Sequence, residues 1–294
     1  MNKRDALKGA LVADAAAMGL HWMYEQEQIA NVAQSGDILF RQPDAAVYAG
    51  KKSYFAHDGR NAGDYSHYGE AAKMFADLLV NDESYSVDAH RALFMQRFGP
   101  GGSFVGYADR PTRALLGRLL LEQENLPEDS GADDDQMPAL AAVPAMFAFE
   151  QSRDNLITAV KVSSVNSVAI EGASAVFDCL HLLSEGASLR SALADSAQAC
   201  TGELGELLSD ALKHESYDPL AAANRYGMPC HMPQGLPVVW HLLNHDQSFE
   251  TLIRDNVACG GDSCGRALAL GAIAGYCQGM PGSLAVRTCL PGFS

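Results

Sequence analysis

Apolar positions along this chain recur every three to four residues far more often than every two, which is the period of helices. Asp5–Leu20 places Leu7, Ala10, Leu11 and Asp14 on one face, with Met18 one turn further on. The same period predicts helices over Ser66–Leu79, Val87–Phe98, Asp109–Gln123, Met137–Phe149 and Leu156–Leu183. It continues over Leu189–Ala199, Glu203–Lys213, Pro219–Arg225, Leu236–Leu243, Phe249–Cys259 and Arg266–Cys277. Several of these open on a short polar side chain that can accept from the free amides of a first turn. Ser188 precedes Leu189, Asp218 precedes Pro219 and Ser248 precedes Phe249. Alternating runs with β-branched residues are scarce. The pattern predicts an all-α fold, a compact multi-helix domain spanning residues 1–294.

Ala13–Met18, Ala139–Ala148, Ala169–Ala175 and Ala267–Gly275 are rich in Ala and Gly, so these helices can approach one another closely and form the interior. The segment Asp37–Asp64, with Pro43, Gly50, Gly59 and Gly63, reads as a long loop and a candidate active-site margin or lid. Gly99–Asp109 is glycine-rich and Leu126–Gln136 is acidic. No internal repeat or linker divides the chain.

Composition narrows the function classes. The formal net charge of -15 opposes a nucleic-acid partner, which would need clustered Lys and Arg. No uninterrupted apolar run approaches the length of a membrane span, and Asp5 and Asp14 bracket the short apolar run near the start, a poor signal peptide. The seven cysteines are scattered with no CxxC pair, so reduced thiols and a cytoplasmic protein are expected. The expected partner is a small molecule or a modified protein; the oligomeric state stays open.

Four polar clusters exceed what folding requires. The first is Asp14 with His21 and Trp22, where Asp14 either bonds a loop or faces a pocket. In Ser66-His67-Tyr68-Gly69-Glu70, a cap by Ser66 with Glu70 near the capping-box position explains two residues and leaves His67 and Tyr68. Ser130–Gln136 carries Asp133, Asp134 and Asp135, a solvated loop or a seat for a hard cation. The fourth, Cys259-Gly260-Gly261-Asp262-Ser263-Cys264, turns sharply into a small-residue helix and presents Cys264 either as a buried packing residue or as a reactive thiol.

These clusters, in this order, resemble the ADP-ribosylglycohydrolase superfamily, which includes the dinitrogenase reductase-activating glycohydrolases. The resemblance rests on GALVADAAAMG in the first helix, NSVAIEGASAV in mid-chain and GGDSCGRALALGAIAGYCQG near the end. It implies an all-α fold, cleavage of the glycosidic bond of ADP-ribose, and two magnesium or manganese ions held by acids and threonines. The chain departs from that pattern consistently. Ser66-His67-Tyr68-Gly69 stands where the family has Thr-Asp-Asp-Thr, His21 where it has a glutamate, and Cys264 and Gly265 where it has an acid and a threonine. His21-Trp22-Met23-Tyr24, Ser66–Glu70, Gly106-Tyr107-Ala108-Asp109 and Gly260–Ser263 are more similar to a divergent branch containing jellyfish lens crystallins.

The resemblance implies an ADP-ribosylglycohydrolase-like hydrolase with a rebuilt site, or alternatively an inactive nucleotide-binding or scaffold protein. Asp262, His21 and His67 are the expected catalytic groups, with Cys264 as an alternative nucleophile. Trp22, Ser66, Tyr68, Tyr107, Asp133, Asp134 and Ser263 are the expected substrate contacts. Asp14, Asp262 and Ser263 remain as ligands for magnesium or manganese, unless the loss of the other acids leaves no metal.

Overall fold

The computed structural model describes residues 1–81, 84–121, 126–214 and 216–290. Among the described residues the chain forms sixteen α-helices and two 3-10 helices, and β structure is confined to isolated bridges such as Met23–Ser53.

Two helices make the axis of the molecule. Lys3–Ala17 lies against Ser263–Gln278, and every residue from Ser263 to Tyr276 is buried. Glycine permits this contact. A Cβ on Gly9 would stand 2.2 Å from the Gly271 carbonyl oxygen, and one on Gly271 would stand 2.4 Å from that of Gly9. A helix surrounded on all sides shows little amphipathic asymmetry, so its small residues, rather than a stripe, mark its place. Both ends of the axis matter for chemistry: Asp14 lies in the last turn of the first helix, and Asp262 caps the other by accepting from the Gly265 amide at 2.9 Å.

The capped starts hold. Ser188, Asp218 and Ser248 accept from the amides of Ser191, Ala221 and Thr251, and Pro219 takes the first helical position. Other boundaries differ. The segment predicted as one helix over Leu156–Leu183 is two, Arg153–Ser163 and Ser167–Ser184. Ser164 is extended because the Ala132 carbonyl takes the Val165 amide, and Asn166 caps the second helix through the Val168 and Ala169 amides. Ser167–Ser184 is the one described helix long and apolar enough to cross a bilayer, yet Gly172, Ala173, Val176, Phe177 and Leu180 are buried within the protein.

The predicted Met137–Phe149 helix opens as a 3-10 helix, Met137–Ala142, before the α-helix Val143–Ala148. The helix expected from Leu236 starts at Met232, where Pro233 lies in a first turn that needs no amide. Glu122 and Gln123, the end of the predicted Asp109–Gln123 helix, fall outside the described residues; the helix runs over Arg110–Leu121. Gln26–Ser35 went unpredicted because it buries only Ile29 and Val32, too thin a stripe to read. The 37–64 segment is a loop holding one short helix, Ala45–Tyr48.

Candidate active site

The first helix loses its α-helical bonding after Ala17, passes through the 3-10 turn Met18–Leu20, and leaves in extended geometry at His21. Trp22 follows at φ 61°, a left-handed conformation strained for a bulky residue. Two loops hold it there. The Trp22 amide donates to the Gly261 carbonyl at 2.8 Å, and its carbonyl accepts from the Tyr54 amide at 3.0 Å. Gly261 can meet the Trp22 backbone and the Met228 carbonyl together because it has no side chain, with φ at 66° and a Cβ position 2.2 Å from the Met228 oxygen. The turn is braced from inside by Arg266, fully buried, whose guanidinium donates to Asn256 Oδ1 at 2.8 Å and the Gly260 carbonyl at 2.6 Å.

This backbone joins four side chains in one buried chain of contacts. His21 Nε2 is 2.8 Å from Asp262 Oδ1, and His21 Nδ1 is 2.7 Å from His57 Nε2. Tyr68 donates its hydroxyl to Asp262 Oδ2 at 2.9 Å. Burial alone would raise the Asp262 carboxyl, but His21, the Gly265 amide and Arg266 outweigh it and hold the group below its ordinary value. Burial lowers the pKa of His21 against the pull of Asp262, and it lowers His57 well below the ordinary histidine value, helped by His21, His67 and Arg60. Burial also drives the Tyr68 hydroxyl upward, with Asp262 adding to the rise. An ionised Asp262 can only accept, so neutral His21 donates from Nε2 and its Nδ1 accepts from His57 Nε2–H.

Aromatic rings cover the chain. Trp22 stacks on His21 with centroids 4.1 Å apart, and Tyr107 meets Trp22 edge-on at 5.0 Å. Tyr54 closes the group at 5.5 Å from Trp22 and is half exposed. His67 packs against Tyr68 at 4.1 Å, and its Nε2 stands 3.3 Å from Asp109 Oδ2. That contact is off line, so neither ring nitrogen of the buried His67 makes a well-formed hydrogen bond. Burial would raise Asp109, but His67 and Thr112 hold it below its ordinary value. A cavity of about 400 Å³ opens beside Tyr24, Lys52, Ser53, Asn224 and Met228, and the Met228 carbonyl accepts the Asp262 amide.

A family model for ADP-ribosylglycohydrolases matches residues 3–285. The chain belongs to the ADP-ribosylglycohydrolase family. It is similar to crystallin J1A of Tripedalia cystophora, 23% identical over 290 residues that cover 91% of this chain and 84% of the relative. In structure it resembles an ADP-ribosylglycohydrolase-related protein complex with a TM-score of 0.68 and 14% identity, covering 98% of this chain and 93% of that one. The fold is thus that of the family, and the crystallin similarity supports the divergent branch.

Within this family member the expected residues separate into those that converge and those that do not. His21, Trp22, His67, Tyr68, Tyr107 and Asp262 gather in one cluster. Ser66 serves Asp14 instead: its amide donates to Asp14 Oδ2 at 2.8 Å and its hydroxyl to Oδ1, while its oxygen caps the Tyr68 amide. Glu70 closes no capping box; it pairs with Arg60 at 3.0 Å and Arg97 at 2.8 Å. The three consecutive aspartates part company. Asp133 accepts from Asn166 Nδ2 at 2.6 Å, Asp134 caps the Gln136 amide at 3.0 Å, and Asp135 meets His231 at 2.6 Å. Neither Asp133 nor Asp134 reaches the Asp262 chain, because each is spent on local backbone or helix contacts.

The ligand set expected for magnesium or manganese does not fit these residues. Both oxygens of Asp14 are taken by Ser66, and both oxygens of Asp262 by His21, Gly265 and Tyr68. Ser263 Oγ is buried with no hydrogen-bond partner and stands alone as a free oxygen. Hard cations need several free oxygens at one point. Cys264 corrects another expectation. Burial pushes its thiol well above the ordinary range, with Asp14 and Asp262 adding to the rise, and the thiol points at the Asp14 carbonyl at 3.7 Å. An activated nucleophile needs the opposite environment.

Two members of this cluster, His57 and Asp109, were not among the expected site residues. The signals were present: His57 lies in the loop singled out as a margin, beside Tyr54 and Phe55, and Asp109 ends the Gly-Tyr-Ala-Asp motif. Nothing in local sequence says that His57 meets His21 across 36 residues.

Proposed function

We propose that this chain hydrolyses the glycosidic bond of an ADP-ribosyl group or a closely related nucleotide glycoside. The observation that carries the reading is the buried Asp262–His21–His57 chain, which orients a histidine as a base beneath a cover of aromatic rings. His57 removes a proton from water at Nδ1, passes its Nε2 proton to His21, and the resulting charge is stabilised by Asp262. The water oxygen bonds to the anomeric carbon as the bond to the leaving atom breaks. That atom keeps the electron pair and takes a proton from His67, with Asp109 as the counter-charge. Tyr54 and Tyr107, the more exposed rings of the group, offer faces for the adenine or ribose, and the cavity beside Tyr24 suits the remainder of the nucleotide.

Family membership supports the substrate class, and the replaced family acids are why the work falls to histidines. The test is release of free ADP-ribose from ADP-ribosylated arginine peptide and from O-acetyl-ADP-ribose, followed by chromatography. Wild-type release that falls about 10²–10⁴-fold in His57→Gln supports the reading. Equal release by wild type and variant overturns it.

The similarity to crystallin J1A leaves a second reading beside it, a folded protein that does not turn over substrate. Absence of release from every substrate, with ADP-ribose still raising Tm, selects it.

A further inference from the structure

We infer that His21, His57 and Cys264 form a zinc site, distinct in residues and in metal preference from the oxygen-ligated site of the family. One ligand atom from each lies within 4.8 Å of the others, and all three residues are buried. Two imidazoles and a thiolate are the donors that zinc prefers and magnesium refuses.

The surroundings match a metal-bound histidine. His21 has one nitrogen held by the Asp262 carboxylate at 2.8 Å, leaving Nδ1 turned toward His57. Histidine ligands are commonly fixed in this way, the far N–H donated to a carboxylate that sets the tautomer and raises ligand basicity. Asp262 is itself fixed by Tyr68 and the Gly265 amide. The fit in space is close. His21 Nδ1 and His57 Nε2 stand 2.7 Å apart, and a tetrahedral zinc needs roughly 3.3 Å between two nitrogens. The nitrogen pair opens by about 0.6 Å, and the Cys264 sulfur, within 4.8 Å of a nitrogen on each ring, moves in toward the roughly 3.6 Å that a shared zinc requires.

Zinc enters by displacing the proton shared between the two rings and the thiol proton, so both leave to solvent. The metal and the relay proton therefore exclude one another at the same place. The zinc-loaded protein thus cannot run the relay; cobalt spectra report the metal, and release by metal-free protein reports hydrolysis, so failure of one reading is distinguishable from failure of the other.

The test uses the full chain, freed of metal by chelator and titrated with cobalt as a coloured substitute for zinc. One equivalent should give tetrahedral visible bands and a thiolate-to-cobalt charge-transfer band. Zinc should bleach both, and a large excess of magnesium should leave them unchanged. Cys264→Ser should abolish the charge-transfer band, whereas Cys230→Ser, whose thiol bonds Gln136, should keep it. Asp262→Asn should weaken zinc binding about 10–100-fold. X-ray absorption of zinc-loaded wild type should show one sulfur and two imidazoles, which keeps the test independent of whether a variant folds. Absence of the band in wild type, its survival in Cys264→Ser, or a shell without sulfur overturns the site.

Discussion

The carboxylate of Asp14 fills the space that a side chain would need at Gly69: a Cβ built there would lie 2.1 Å from Asp14 Oδ2. The glycine of the Ser-His-Tyr-Gly-Glu run therefore serves an acid 55 positions earlier in the sequence. It lets the His67–Asn81 helix dock close enough for the Ser66 amide and hydroxyl to bond Asp14. Gly69→Ala should cost about 1–3 kcal/mol, as overpacking does in a close-packed core. Chemical denaturation checks this, and a change within about 0.5 kcal/mol, typical of an ordinary surface site, would contradict the contact.

Asp14 also makes stability depend on pH. Burial raises its carboxyl from the ordinary 3.8 to about 6, against the lowering pull of Ser66. Between those values the folded protein holds a proton that the unfolded chain has lost, so stability falls as pH rises from about 4 to 6. The interval is worth on the order of 3 kcal/mol. Asp14→Asn should flatten that part of the curve when unfolding is followed against pH, though it loses one bond to Ser66. An unchanged slope would show that another group titrates there.

If hydrolysis is found, Asp262→Asn should lower kcat by a factor similar to His57→Gln, and the double variant should be scarcely worse than either. Residues that act as one unit are strongly non-additive. The pH profile carries a second check. His57 is held well below the ordinary 6.5 by burial, then by His21, His67 and Arg60, so the neutral base persists as pH falls through 6.5. The acid limb of kcat/KM should lie below that value; a limb centred near 7 would place the base elsewhere.

Thiol labelling should divide the cysteines. Cys289 is exposed, whereas Cys264 is fully buried with its thiol pushed up by burial. Alkylation of native protein near neutral pH, mapped by mass spectrometry, should mark Cys289 rapidly and Cys264 only after unfolding. Early labelling of Cys264 would revive it as a nucleophile.

How much was legible follows from how local each cause is. Helix starts at Ser188, Asp218 and Ser248 were readable because a cap and the amide it serves lie three residues apart. The break at Ser164 was hidden because its cause, the Ala132 carbonyl, comes from a distant loop. The motif residues His21, Trp22, His67, Tyr68, Tyr107 and Asp262 pointed to a site, yet their partners did not. His57 in a loop, and Asp109 after a glycine-rich stretch, gain meaning only from neighbours supplied by other elements.

The sequence by itself determined the all-α class and the divergent character of the family motifs, since periodicity, caps and residue type are properties of short stretches. The resemblance it carries implies that oxygen ligands have given way to imidazole, phenol and thiol. Only the tertiary structure decided what those replacements do. It turned Asp14 toward Ser66, scattered Asp133, Asp134 and Asp135 onto separate partners, and joined Asp262, His21 and His57 in one line. Hydrogen-bond direction and desolvation depend on groups far apart in the chain, and they become fixed when the two central helices close on Gly9 and Gly271 and bring the flanking loops together.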